Sequence, residues 1–149
     1  MEASTLISLL GERTGCALSF GDAGTLSLVF DNEVIVNIEH DTSKNGLHLY
    51  VVLGPEPASE ATRYAIYRKL LSSNAFGYRL TGGTLGLDEK MSEFLLTRYL
   101  SVDDTDVDEL HAALEALVDG VPFCQSLLNP SVADNPTAIP SVASFGRMA

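Results

Sequence analysis

Residues 25–54 read TLSLVFDNEVIVNIEHDTSKNGLHLYVVLG. Along this stretch the apolar period is two. Leu26, Leu28 and Phe30 alternate with Thr25, Ser27 and Val29. Val34, Val36 and Ile38 alternate with Ile35, Asn37 and Glu39. Leu47, Leu49, Val51 and Leu53 alternate with His48, Tyr50 and Val52. Successive side chains of a strand point to opposite faces, so the pattern predicts three strands, each with one side turned to a core. The interruptions are turn chemistry. Asp31-Asn32 is a tight turn in which Asn32 tolerates positive φ, and Asp41 to Gly46 is a looser polar turn. Strands joined this closely make an antiparallel meander.

On the N-terminal side, Ser4 to Arg13 places Leu6, Leu9, Leu10 and Arg13 on one helical face with Ile7 beside them, a short amphipathic helix ended by Gly15. On the C-terminal side, Gly54-Pro55-Glu56-Pro57 stops the sheet, and Ser59 is placed to cap a second helix running to about Ser73. Asn74 to Gly83 reads as a glycine-containing loop. Two short strands follow, around Thr84 to Leu87 and Ser92 to Leu100. Asp106 and Glu109 form a capping box ahead of the stripe Val107, Leu110, Leu114, Leu117, Val118 and Val121. The order α-βββ-α-ββ-α predicts an α+β fold, an antiparallel twisted sheet packed against helices. From Asn129 the chain turns to Pro, Ser, Ala, Asn and Thr, with Pro130, Pro136 and Pro140. That composition buries too little to order itself, so the expected domains are 1–128, folded, and 129–149, a flexible tail.

A chain of 149 residues with 46% hydrophobic content makes one domain with a core that needs no disulfide or metal. The net charge of −11 opposes binding to nucleic acid or to an anionic membrane surface and favours basic or mixed partners. Cys16 and Cys124 stand far apart with no C-x-x-C spacing and read as reduced thiols of a cytosolic protein. The N-terminus has no basic segment followed by an apolar run, so no signal peptide is expected, and no stretch approaches the ~20 apolar residues of a membrane span.

Motifs for chemistry fail on their particulars. Asp104, Asp106, Asp108 and Glu115 resemble calcium-loop positions, but the sixth position, which must be glycine for the sharp turn, is Glu109. Gly82-Gly83-Thr84-Leu85-Gly86 lacks the Gly-Lys-Ser/Thr ending of a phosphate loop. His40, His48 and His111 show no ligand spacing, and nothing singles out Cys16 or Cys124 as a nucleophile. The reading is a non-enzyme without cofactor or metal.

The unusual feature is apolar surplus. The inward positions of the meander suffice for a core, yet the opposite face carries Val29, Ile35, Tyr50 and Val52, where a half-solvated antiparallel sheet should be polar. The second helix has Ala61, Tyr64, Ala65, Ile66, Tyr67, Leu70 and Leu71 on more than one side. Two surfaces are therefore expected to be covered by partners: one by a second copy of the chain, one by a ligand peptide.

The order of elements, the acidic charge and a set of strings resemble the class I type III secretion chaperones, the Tir-chaperone-like family. The strings are Leu28-Val29-Phe30-Asp31, Val36-Asn37-Ile38, Leu49-Tyr50-Val51-Val52-Leu53-Gly54-Pro55, Leu70-Leu71-Ser72-Ser73-Asn74 and Gly83-Thr84-Leu85-Gly86-Leu87-Asp88, followed by a last helix opened by acids. The resemblance runs from about Leu6 to Leu128. It implies a homodimer joined through the second helix and the strand near Leu85, with Tyr64, Tyr67, Leu71, Leu85 and Leu87 at the contact. It implies no catalysis and no nucleotide. It implies a partner, the N-terminal segment of a secreted effector, held in extended form in the bacterial cytoplasm until components of the export apparatus take it, and Leu6, Ile7, Leu10, Val29, Ile35, Tyr50 and Val52 are the expected contacts; Leu10, Leu85 and Leu87 read equally as core residues. The tail after Asn129 is longer than this family pattern requires, and Ile139, Val142 and Phe145 are candidate anchors for covering a client groove. Two other readings stay open: a dimeric adaptor or regulator of the same fold that binds a folded protein, and a domain that binds a small molecule between sheet and helices.

Overall fold

The computed structural model describes residues 1–129. The expected flexible tail, with Ile139, Val142 and Phe145, lies outside the described residues. Strands β1 (Thr25–Phe30), β2 (Val34–Asp41) and β3 (Gly46–Pro55) are the meander expected from residues 25–54. In the turn between β1 and β2, Asp31 and Asn32 both take positive φ, and the Glu33 N–H donates to the Phe30 carbonyl. Two successive positive φ values make a type I′ turn, whose twist matches that of the flanking strands.

Strands β4 (Thr84–Asp88) and β5 (Glu93–Ser101) form a second hairpin. The sheet order is β1-β2-β3-β5-β4, antiparallel throughout. The longer strand β5 pairs with β3 from Gly46↔Ser101 to Pro55↔Glu93 and leaves the shorter β4 at the edge. Strand β1 is the other edge. Its inward residues Leu26, Leu28 and Phe30 are consequently half-buried, whereas Val36, Ile38, Leu47 and Leu49 on the interior strands are fully buried.

Helices α1 (Ala3–Thr14), α2 (Glu60–Asn74) and α3 (Val107–Ser126) pack on the inward face. Helix α3 lies across β2, β3 and β5, α1 packs beside α3, and α2 sits on β4. Helix α3 begins where the sequence places it. The Asp106 carboxylate accepts from Glu109 N–H at 2.8 Å, and the Glu109 carboxylate accepts from Asp106 N–H at 2.9 Å. Ser59 caps α2 by accepting from Thr62 N–H at 3.3 Å. Gly120 lets the loop before β4 close onto α3. A Cβ there would come within 2.6 Å of the Thr81 hydroxyl. One buried cluster joins Leu6, Ile7 and Leu10 of α1, Ile66 and Leu70 of α2, Leu80 of that loop, Leu110, Leu114 and Leu117 of α3, and the inward strand residues. Each such side chain contributes about 1.5–3 kcal/mol by leaving water. Among the described residues no helix is long and apolar enough to cross a membrane.

Cys124 on α3 is buried, whereas Cys16 is exposed. Burial disfavours the thiolate and pushes the Cys124 thiol up to about 11. In the native protein near neutral pH, a disulfide-exchange reagent is therefore expected to titrate Cys16 at once and Cys124 only after unfolding. The folded state holds the Cys124 proton more tightly than the unfolded chain. The stability this contributes is complete below the ordinary value of 9.0 and is lost as pH rises through about 11. Rapid reaction of both thiols in the native state would move Cys124 out of the core.

Candidate functional site

Among the described residues, the face of the sheet away from the helices carries no element of its own. By the strand register, its outward positions form rows across the strands. One row is apolar: Val29 stands opposite Ile35, and Val52 stands opposite Leu95, which stands opposite Gly86. Val29 is 64% exposed, Ile35 52% and Val52 40%. The neighbouring row, Ser27, Asn37, Tyr50, Thr97 and Thr84, is polar apart from the Tyr50 ring. The Ser27 hydroxyl donates to the Asn37 side chain at 2.7 Å. Farther along, Tyr99 lies over Gly46, where a Cβ would fall within 2.1 Å of its hydroxyl, and its ring is 5.0 Å from that of His48.

The β2–β3 pairing runs from Asp41↔Gly46 to Asn37↔Tyr50 and stops there. Extended by two residues, the register would set Ile35 against Val52. Beside them the β3–β5 ladder is irregular between Val52 and Gly54, and such an irregularity bends a strand. The strands part into a cleft of about 530 Å³. Its walls include outward residues (Val29, Ile35, Val52), inward ones (Val34, Val51) and Val121 of α3, so the opening reaches from the outer face to the helix layer.

The ionisable residues at outward strand positions are Glu39, Asp41, His48, Asp88 and Glu93, with no lysine or arginine among them. Hydrogen bonding from the Ser43 hydroxyl at 2.6 Å holds Asp41 below the usual carboxylate value, and His48 Nε2 lies 3.6 Å from that carboxylate. Burial, then the fields of Glu39, Asp88 and Glu93, raise the Tyr50 phenol. Three carboxylates thus lie near enough to the Tyr50 phenol for their fields to oppose its ionisation.

A second surface follows the β1 edge, beside which no strand lies among the described residues. A groove of about 240 Å³ runs there between the end of α1, the segment through Cys16 and Leu18, strand β1 and α3. Leu10 and Leu114 form its floor, Leu28 and Phe30 line it, and His111 stands at its side, 3.6 Å from the Glu115 carboxylate. A third surface is a groove of about 270 Å³ between α2 and β4, lined by Tyr67, Leu71, Leu85, Leu87 and Phe94. The Tyr67 ring meets Phe94 edge-on at 6.1 Å, and its hydroxyl donates to Glu56. Asn74 ties α2 to the strand: its Nδ2 donates to the Leu85 carbonyl and its Oδ1 accepts from Leu85 N–H, both at 2.8 Å.

The expected residues divide accordingly. Val29, Ile35, Tyr50 and Val52 share the outer face. Tyr67, Leu71, Leu85 and Leu87 meet in the α2–β4 groove, with Leu85 buried as its floor and Tyr64 exposed on α2. Leu6 and Ile7 need correction. Both are fully buried where α1 meets the rest of the core, so they hold the helix in place and offer no surface to a partner. Leu10 is also core and reaches a groove only as its floor. The sequence reading did not count Leu18, Leu28, Phe30, His111 and Leu114 of the β1 groove among the binding residues. Nor did it name Leu95 of the outer row, although Leu95 alternates outward from buried Phe94 and Leu96. It also missed Phe76 and Tyr78, exposed rings stacked 5.6 Å apart on the loop before β4. Among the described residues no three His, Cys, Asp or Glu side chains gather to hold a metal.

The model of the Tir chaperone protein (CesT) family matches residues 5–124. No curated protein matches the chain. Among solved structures, the ExsC–ExsE complex contains a chain that superposes with a TM-score of 0.69 at 24% identity, covering 89% of this chain and 100% of that one. A chain of the HopA1–SchA chaperone–effector complex gives 0.65 at 20% identity, covering 82% and 91%. A chain from the complex of the Yersinia pestis type III secretion chaperone SycH with a stable fragment of YscM2 gives 0.62 at 20% identity, covering 81% and 98%. These likenesses establish a shared fold.

The placement of the expected residues has a direct check in stability. Ile35→Asp, on the exposed row, should leave unfolding free energy within about 0.5 kcal/mol of the parent. Leu6→Ala, in the core, should lower it by about 2–5 kcal/mol. Denaturant titration of the two variants reads this contrast, and equal losses would contradict the burial described above.

Proposed function

Because the chain belongs to the Tir chaperone protein (CesT) family, we propose that it works as a type III secretion chaperone, a homodimer that binds the N-terminal segment of a secreted effector in extended, non-globular form and keeps it competent for export. The observation that carries this reading is the presence of large uncovered apolar side chains in two separate places. One is the outer sheet face with the adjoining β1 groove. The other is α2 with β4. Monomeric proteins rarely leave contiguous patches of this kind exposed.

The α2–β4 groove is assigned to the second copy. Tyr67, Leu71 and Leu87 line it over a floor of Leu85, and Tyr64 adds exposed apolar surface on α2. Asn74 already occupies both backbone groups of Leu85, so this contact proceeds by side-chain packing at that residue rather than by continuing the sheet. The client is assigned to the β1 edge and the outer face, with Leu10 as groove floor and Val29, Ile35, Tyr50 and Val52 as contacts. An open strand edge offers main-chain hydrogen bonds to an added strand, and the neighbouring groove takes its alternate side chains. A segment that orders on binding can bury on the order of 1,000–3,000 Å² while losing several kcal/mol to ordering. Holding and releasing such a segment needs no catalysis and no cofactor. The place of action is the bacterial cytoplasm, with hand-over to components of the export apparatus.

Light scattering of the full chain is expected to give twice the 15.9 kDa protomer mass. The double variant Tyr64→Asp/Leu71→Asp should give the protomer mass with an unchanged circular dichroism spectrum. A monomeric parent chain at micromolar concentration would count against the assignment. The tagged protein, purified from its own bacterium and mapped by limited proteolysis, should carry a single client per dimer, protected over the client's N-terminal segment. Recovery of only a folded, fully protease-resistant partner would argue for an adaptor instead.

A further inference from the structure

The outer face says more about its occupant than that it is apolar. The row Val29, Ile35, Val52 and Leu95 crosses four strands and so runs about 15 Å or somewhat more, at about 4.8 Å for each paired step and a wider one where β2 and β3 part. Within the face of a sheet the backbone N–H and C=O groups are already turned to neighbouring strands. Away from the cleft, where β2 and β3 have stopped pairing, a segment lying across the face finds none of them free, and one that satisfies its own backbone binds there without giving up hydrogen bonds. The structure that does this alone is a helix, and about ten residues of helix span the row. A helix presents apolar positions three and four residues apart, which matches a straight row, and its polar flanks fall on either side.

Those flanks would meet mainly negative charge, with Lys90 of the β4–β5 turn a cation between Asp88 and Glu93 in the chain. Glu33 stands at the cleft, Glu93 and Asp88 face each other across β4–β5 beyond the row, and Glu39 lies on its other side. No lysine or arginine occupies an outward strand position to balance them. At its middle, between Ile35 and Val52, the row opens into the cleft that reaches Val121. A volume of about 530 Å³ admits one large side chain with room to spare.

We propose that the client, extended where it follows the β1 edge, turns helical where it crosses the outer face, and that this face selects an amphipathic helix with lysines or arginines flanking its apolar stripe and one bulky apolar side chain seated in the cleft between β2 and β3. The proposal rests on the chaperone reading and adds the chemistry of the client. Two nearer occupants fit worse. A second copy would bring Glu39, Asp88 and Glu93 against the same carboxylates of a chain that also carries −11. Residues 130–149 carry a single basic residue, Arg147, so they cannot supply basic flanks on both sides of the row.

The test uses the full chain and two synthetic amphipathic helices, each about five turns long. Both carry the same leucine stripe with a central phenylalanine, one flanked by lysines and the other by glutamates. Fluorescence anisotropy at low salt should show the lysine peptide binding at least about tenfold more tightly, with most of that preference lost at high salt. Glu33→Lys/Glu39→Lys/Glu93→Lys, all at surface positions, should reverse the preference without changing the melting temperature appreciably. Val52→Asp should abolish binding of both peptides. Amide chemical shifts should move on β2, β3 and β5 around the cleft.

Charge-blind binding, or shifts confined to the β1 groove, would overturn the proposal. So would tighter peptide binding after removal of residues 130–149, which would make the tail the occupant, or dissociation of the dimer by the triple variant, which would make it a second copy. The chaperone reading fails separately, by the absence of any client on the purified parent chain. A natural client that binds the triple variant as tightly as the parent removes the charge selection and leaves that reading standing.

Discussion

A five-stranded sheet has two faces, and the described chain supplies helices for one of them. Most of the rest follows from this asymmetry. On the covered side, α3 lies across the middle strands, α1 beside it and α2 over β4, and the inward leucines, valines and isoleucines close into a single core. On the other side the alternation of a β-strand still delivers a side chain at every second position, and the sequence places valine, isoleucine, leucine and tyrosine among them. Water is a poor neighbour for that row. Its free energy is lowered only when something else arrives, which is the thermodynamic condition for a binding surface.

The two sheet edges are treated differently, and the difference sorts the partners. At β4 the Asn74 amide bonds to both backbone groups of Leu85, so this part of the edge is satisfied within the chain. What remains there is a groove of side chains, suited to packing against another rigid apolar surface. At β1 no neighbouring strand covers the edge among the described residues, and a groove floored by Leu10 and Leu114 runs alongside. Main-chain groups with a groove beside them suit a segment that arrives unfolded and becomes ordered in place. One chain thus presents a surface suited to a rigid apolar partner and another suited to a segment without structure of its own.

Much of this was legible in the sequence because it depends on short-range rules. Period-two alternation located β1, β2 and β3, the Asp106–Glu109 box fixed the start of α3, and the surplus on α2 pointed to residues that do meet in one groove. What was not legible depends on distant parts of the chain. An amphipathic α1 has one apolar face, and its spacing does not say whether that face meets its own core or a partner. The core claims it, so Leu6 and Ile7 are packing residues. The insertion of β5 between β3 and β4 is a choice of partner that alternation leaves open. The cleft exists because β2 and β3 stop pairing after Asn37 and Tyr50, where the ladder beside them is irregular. No local pattern announces that parting. The exposed pair Phe76 and Tyr78 was hidden for a simpler reason: loops have no periodicity against which an apolar residue looks out of place.

The acidic charge completes the arrangement. Apolar surfaces left open in a crowded solution tend to find one another, and a chain with several of them risks open-ended association. The carboxylates at outward strand positions counter this without filling the surface. When two copies approach outer face to outer face, Glu39, Asp88 and Glu93 meet their own kind and the encounter is opposed over roughly a Debye length of about 8 Å. A partner with basic flanks meets the opposite field and is drawn in. The same side chains therefore act as a barrier or an attraction depending on the sign of what approaches. They let an apolar row stay exposed while a partner is awaited, because repulsion excludes the abundant wrong partner, the protein itself, and leaves hydrophobic contact to hold the right one.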